Sequence, residues 1–300
     1  MKRQALAAIA CLSILRGAFA APATGVEIVA KNLRFPEGTI FVGNTLYFVD
    51  YANSNVLRLD GDKVTIVWHQ DSCGANGLVR VPEGLLVACF NSGTVERVSL
   101  DGKSLGTISQ DDAGNPFAAP NDLASDAKGG VYFTASGSGG TASGKVFYID
   151  ARHHVREVAA GIRYANGIVV SLDGKRLYVA ESRTGRLLTF AIAAGGALTD
   201  PGEFANLGNI LAGGGHRAYS PDGVRMDQHG NLFIGLYDGG GFAVLSPLGK
   251  LIAQVDLPAS HHANLAIAPD GKSIYITAAD DGPGGTWRGE LYRVANPVPE

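Results

Sequence analysis

A short motif recurs six times along this chain, and that recurrence limits the fold more than any other feature. Each copy joins a small or rigid residue to a carboxylate or amide, usually followed by Gly and an apolar run. The copies are Pro36-Glu37-Gly38, Ala75-Asn76-Gly77, Pro120-Asn121-Asp122, Ala165-Asn166-Gly167, Pro221-Asp222-Gly223 and Ala263-Asn264-Leu265. Their second residues lie 39, 45, 45, 56 and 42 positions apart. A repeat of this length with strand-like content is the mark of a radially repeated β architecture.

The first repeat predicts strands at 39–42, 46–50, 55–59 and 63–68, separated by turn-forming residues such as Gly43-Asn44 and Gly61-Asp62. The second predicts 78–81, 85–90, 94–99 and 104–109, and the third 122–125, 130–134, 145–150 and 155–159. The fourth gives 167–171, 176–180, 186–192 and a weaker 202–207; the fifth gives 224–227, 231–236, 242–246 and 251–256. The sixth supplies only 265–268, 273–277 and 290–294. The unused N-terminal strand at 26–30 is the natural donor of its fourth. No segment shows a sustained helical period. The expectation is an all-β chain, a six-bladed β-propeller forming one domain over 21–300, its ring closed by the N-terminal strand completing the last blade. Such closure removes exposed sheet edges.

Residues 1–20 read as a signal peptide: Lys2 and Arg3, an apolar stretch from Ala5 to Leu15, then Ala18-Phe19-Ala20 as a small-x-small cleavage site. Arg16 breaks the apolar run, so it is too short for a spanning helix. Lipoprotein processing at Cys11 is disfavoured by the short apolar segment before it. The expected location is periplasmic or secreted. Without Lys2, Arg3 and Arg16 the charge balance is 22 − 28 = −6, and with no basic stripe nucleic acid is not an expected partner. No other apolar run is long enough to cross a bilayer, and nothing in the sequence sets the oligomeric state. Cys73 and Cys89 remain, either as a disulfide of an oxidising compartment or as two small buried hydrophobes. A turn at Val81-Pro82-Glu83-Gly84 puts them near one end of adjacent strands but not directly opposite.

If the first strand of each blade lines the central channel, the motif residues gather at one mouth, with the loops 135–144, 237–241 and 279–288 and the linkers 110–119 and 208–220. Glu37, Asn76, Asn121, Asn166, Asp222 and Asn264 all offer oxygen. A hard cation suits such a set, Ca²⁺ before Mg²⁺, with Mn²⁺ and Zn²⁺ compatible. A single Asn-Gly needs no more than a turn to explain it. Glu37 does not make that kind of turn, and six copies in register favour a shared ligand. His216, Arg217 and Tyr219 precede Asp222, and His261 and His262 precede Asn264; each group is either a source of a proton shuttle or solvated loop. His153, His154 and His229 read as surface, and Asp50, Asp150 and Asp173 as backbone-bonding turn residues.

These residues resemble the senescence-marker-protein, gluconolactonase and luciferin-regenerating-enzyme family of six-bladed propellers. The likeness runs through Phe35-Pro36-Glu37-Gly38, Ala119-Pro120-Asn121-Asp122, Ala165-Asn166-Gly167-Ile168, Pro221-Asp222-Gly223-Val224 and Asn264-Leu265-Ala266-Ile267. It implies a divalent cation held by Glu37, Asn166 and Asp222, with Asn121 beside it as ligand or substrate contact. It also implies a lactone-opening hydrolase with Asp222 as base or nucleophile, and Asn76 and Asn264 as supporting members. Organophosphate or other ester hydrolysis at the same site, and a non-catalytic ligand- or protein-binding propeller, are the alternatives. The sequence departs from the sugar-lactone pattern at Ala119, where an Arg is frequent, at Thr134-Ala135-Ser136, and at Phe90-Asn91-Ser92. The substrate class therefore stays open.

Overall fold

A computed structural model of the protein describes residues 21–22, 25–126, 128–138, 141–211 and 219–298. The leader expected at 1–20, with Cys11, lies outside the described residues, as do His216 and Arg217. Two strands come first, β1 (Ala21–Pro22) and β2 (Glu27–Leu33). Blade 1 is β3 (Pro36–Val42), β4 (Thr45–Asp50), β5 (Asn55–Asp60) and β6 (Lys63–His69). Blade 2 is β7 (Ala75–Val81), β8 (Gly84–Cys89), β9 (Thr94–Val98) and β10 (Ser104–Ile108). Blade 3 is β11 (Pro120–Ser125), β12 (Val131–Ala135), β13 (Gly144–Ile149) and β14 (Val155–Ile162). Blade 4 is β15 (Ala165–Val170), β16 (Arg176–Glu181), β17 (Arg186–Ile192) and β18 (Leu198–Asn206). Blade 5 is β19 (Pro221–Met226), β20 (Leu232–Leu236), β21 (Gly241–Leu245) and β22 (Leu251–Asp256). Blade 6 is β23 (Leu265–Ile267), β24 (Ser273–Asp281) and β25 (Trp287–Ala295).

The ring closes as expected. Strand β2 runs antiparallel to β25 as the outermost strand of blade 6, with Glu27 opposite Arg293 and Leu33 opposite Gly289. Unanticipated is β1, which pairs parallel with β22 and adds an outer strand to blade 5. Among the described residues, no helix is long and apolar enough to cross a membrane.

Each strand alternates its faces, so a blade buries both sides against its neighbours. The core is accordingly divided into interblade seams. Val49, Val56 and Trp68 meet Leu78, Leu85 and Val87 between blades 1 and 2. Phe233 and Phe242 meet Ile274 and Ile276 between blades 5 and 6. Leu33 and Leu291 meet Leu46 and Phe48 across the closure. Burying each such side chain contributes about 1.5–3 kcal/mol, so the seams hold the ring.

The motif is a bulged strand, not the turn before one. Pairing in blades 1 to 5 shifts register between Glu37 and Ile40, Ala75 and Gly77, Pro120 and Leu123, Ala165 and Ile168, and Pro221 and Val224. Inner strands therefore start at the motif, about three residues before the sequence pattern alone suggests. A bulge re-aims a side chain, and here it delivers the second motif residue to the channel. The third position lies against the next blade: a Cβ on Gly77 would stand 2.3 Å from the Asn121 carbonyl oxygen, and one on Gly167 2.1 Å from that of Asp222. Glycine is there because neighbouring backbones touch.

Cys73 and Cys89 are disulfide-bonded, with Cα atoms 4.6 Å apart. The backbone of 73–74 continues the β7–β8 pairing past the strand end, through Phe90 N–H to Gly74 O and Asn91 N–H to Cys73 O, both 3.0 Å. That extension brings the two together.

Candidate functional site

At the motif end of the channel lies a cavity of about 340 Å³. Its floor is Glu37, Asn76, Asn121, Asn166 and Asp222, one residue from each of blades 1 to 5. Glu37, Asn121, Asn166 and Asp222 are each 5% exposed.

The floor residues are held by contacts between blades. Asn166 Nδ2 donates to Ser182 Oγ at 3.1 Å, and Ser182 Oγ donates to Pro221 O at 2.7 Å. The same amide favours the charged form of the Asp222 carboxylate. With its NH₂ so engaged, Asn166 has its carbonyl oxygen left for the cavity. Among the described residues, Glu37 Oε2 accepts only a long 3.3 Å bond from the N–H of Gly38. Asp50 accepts from the Arg34 and Phe35 N–H groups, at 3.1 and 2.9 Å, and so anchors the chain entering β3.

Burial and crowding of like charge dominate the electrostatics. The Glu37 carboxyl is pushed well above its ordinary range, first by burial, then by Asp222 and Asp122. Asp222 is pushed up by burial and by Asp122 and Asp238, against the opposing Asn166 amide and Arg225. The nearby cation is already committed. Below the floor, Arg225 Nη1 pairs with Asp122 Oδ2 at 2.8 Å, and Arg225 Nη2 donates to Asn264 Oδ1 at 2.9 Å. Two buried carboxylates beside carbonyl-bearing amides, without a cation of their own, fit a divalent ion with oxygen ligands. Among the described residues, no three His, Cys, Asp or Glu side chains converge as a metal set. Any ion here therefore depends on the amides as well as the two acids.

Three expected neighbours lie elsewhere. Asn264 is beneath the floor, where Oδ1 accepts from Thr39 Oγ1 at 3.1 Å as well as from Arg225; it ties blade 6 to blade 1. His262 is fully buried against Tyr292 in blade 6, its pKa pushed down to about 4 by burial. Tyr219 packs into the seam between blades 4 and 5 and donates to Leu211 O at 3.3 Å. It is the adjacent His261 that nears the mouth, stacked on Tyr237 at 4.4 Å. The surface readings of His153 and His154 agree with their positions beside Glu83 and Asp112.

Sequence reasoning placed the loops 237–241 and 279–288 at the mouth but missed the aromatic walls. Phe35, Tyr51, Phe90, Tyr164, Tyr237 and Trp287 line the cavity above the floor. A signal existed: Tyr51, Phe90, Ser136, Ser182 and Tyr237 each follow directly on the second strand of a blade. Where that residue is Ser, its hydroxyl bonds the next blade's motif backbone, as Ser136 does to Ala165 O at 2.8 Å. Where it is aromatic, it forms wall.

Known proteins resemble this chain to differing degrees. Over 272 residues the chain is 25% identical to pentonolactonase XacC of Haloferax volcanii, covering 89% of each protein. It is 24% identical over 285 residues to a gluconolactonase of Zymomonas mobilis, covering 85% of this chain and 79% of that protein. The solved structure of regucalcin from Agrobacterium tumefaciens, described as a calcium-binding protein, superposes with a TM-score of 0.74 at 16% identity, covering 94% of this chain and 98% of the other. Residues 35–280 match the family described as the SMP-30/Gluconolactonase/LRE-like region, which takes in all five floor residues, β3 to β23 and all of β24 but its last residue. The chain is thus a six-bladed propeller belonging to the SMP-30/gluconolactonase/LRE-like family.

Proposed function

We propose that this protein is a divalent-cation-dependent lactone hydrolase, working at the cavity floor after export. The observation that carries the reading is the buried Glu37 and Asp222 pair, set among amides at the base of a substrate-sized cavity. A gluconolactonase and a pentonolactonase among the relatives support the reaction class. The oxygen-only donors, and a structural neighbour described as calcium-binding, support Ca²⁺. The sequence of residues 1–20 and the Cys73–Cys89 disulfide support an oxidising compartment outside the cytosol.

Glu37, Asn166 and Asp222 would hold the ion, with Asn121 beside it. When bound, the cation supplies Lewis-acid polarisation of the lactone carbonyl and stabilises negative charge on that oxygen. Asn121, from the blade next to that of Asn166, orients the substrate. Asp222 accepts a proton from the attacking water as its oxygen bonds to the acyl carbon. The ring C–O bond then breaks, and the proton passes to the departing alkoxide, giving a hydroxy acid. Ligation lowers the basicity of Asp222, so its contribution rests on position more than on proton affinity. Proton release from a panel of lactones and aryl esters, with and without chelator, tests the reading. Chelator-sensitive opening of a lactone is expected; turnover of the aryl esters alone would refute it.

A further inference from the structure

The walls, more than the floor, bear on what the site accepts. Phe90, Tyr51, Phe35 and Trp287 form a continuous arc across blades 2, 1 and 6. Successive ring centroids are 6.0, 5.9 and 4.6 Å apart. Tyr237 joins the arc from blade 5, 6.4 Å from Phe35.

Some polar atoms on the walls are already occupied, while the Tyr164 and Tyr237 hydroxyls and the Arg183 guanidinium line the cavity beside them. The Tyr51 hydroxyl donates to Asn91 Oδ1 at 2.8 Å, and Ser220 Oγ donates to Asp238 Oδ2 at 2.9 Å. Ser182 serves the Pro221 carbonyl, and the Arg183 guanidinium lies over the Tyr164 ring at 5.6 Å. A sugar lactone presents several hydroxyls above the reacting carbonyl. Each one buried here without a partner would cost on the order of tenfold in binding. An alkyl or aryl surface against the same rings is favoured by its removal from water.

Resting on the lactonase reading, we propose that the substrate is a lactone with an apolar body, alkyl-substituted or ring-fused, and not a polyhydroxylated sugar lactone. Phe35, Phe90 and Trp287 are its specificity determinants. Their rings receive the body while the lactone carbonyl faces Glu37 and Asp222.

The test pairs turnover with binding. For the calcium-loaded protein, kcat/KM for δ-decalactone should exceed that for glucono-δ-lactone by about a hundredfold, two unpartnered hydroxyls' worth. Phe90→Ala should raise KM for δ-decalactone about tenfold and narrow the preference. Binding is read separately with non-hydrolysable lactams. Of the two tryptophans, Trp287 lines the cavity and Trp68 is buried at the outer strand of blade 1, so a fluorescence change reports occupancy. An alkyl δ-lactam should give a saturable signal, and gluconolactam none at the same concentrations. Equal or better turnover of glucono-δ-lactone, tighter binding of gluconolactam, or binding of neither lactam overturns the proposal. Were no lactone opened with any cation, the hydrolase reading would fall, while the lactam titration would still decide the ligand class.

Discussion

Breaking the ion pair beneath the floor should cost stability in a way that its joint removal does not. Arg225 is 16% exposed at its side chain and Asp122 1%. The guanidinium also donates to Val224 O at 2.9 Å, Asn264 Oδ1 at 2.9 Å and Thr39 O at 3.4 Å. Arg225→Met removes all of these and leaves Asp122 as an unpaired buried carboxylate near two others. One-sided loss of a buried pair costs about 3–5 kcal/mol. The partial exposure of Arg225 argues for the low end, about 3 kcal/mol. At about 2–4 °C per kcal/mol for a chain of this size, Tm should fall by about 6–12 °C. Adding Asp122→Asn removes the stranded charge, so the double variant should recover about 2 kcal/mol of that loss. The assay is thermal unfolding of the chelated protein across the double-mutant cycle. Calcium should rescue Arg225→Met by more than it stabilises the wild type, since the acid cluster would then lack its fixed cation. Additive single costs, to within about 0.5 kcal/mol, would refute the coupling.

Other changes separate the parts of the account. Glu37→Gln should abolish the calcium-induced rise in Tm without lowering the Tm of the chelated protein, because it replaces a buried acid crowded by Asp222 with a neutral isostere; differential scanning fluorimetry reads both. Gly77→Ala should lower stability and weaken calcium binding together, since its Cβ would press on the Asn121 carbonyl; calorimetric titration against the wild type checks the second effect. The disulfide closes a loop with a sequence separation of 16, so Cys73→Ala with Cys89→Ala should cost about 3 kcal/mol, and reductant should shift the wild-type Tm but not the variant's. His262, held neutral to about pH 4 in the fold, takes its proton in the unfolded chain near its ordinary value of 6.5. Its stabilising contribution is therefore complete above that value and lost as pH falls through the window, up to about 3 kcal/mol in all. His262→Leu should flatten that limb of the stability profile, measured by urea unfolding between those two pH values.

The blades were legible because hydrophobic alternation and turn residues are local, and because a missing fourth strand in repeat six has one donor, β2. The floor was legible because Glu37 and Asp222 break a run of amides. The bulge was not, since only pairing to the next strand reveals it. Asn264 shares its motif with the floor residues, yet Thr39 and Arg225, distant in sequence, turn its side chain downward. His262 shows the same limit: adjacency to a motif says nothing of which way a strand presents its side chains, and here His261 takes the mouth. The aromatic walls were hidden for a different reason. They come from six separate positions, each an ordinary aromatic at or beside a strand end, and only closure of the ring gathers them.

Calcium titration of turnover in metal-stripped protein tests the central claim most directly, with wild type and Asp222→Asn measured side by side on one lactone substrate. The account predicts no turnover without metal, and saturable recovery in the wild type at one calcium per chain. Asp222→Asn should show neither recovery nor tight calcium binding, with a loss of about a hundredfold or more in kcat. Full activity in the stripped wild type, or most of that activity kept in Asp222→Asn, would contradict it.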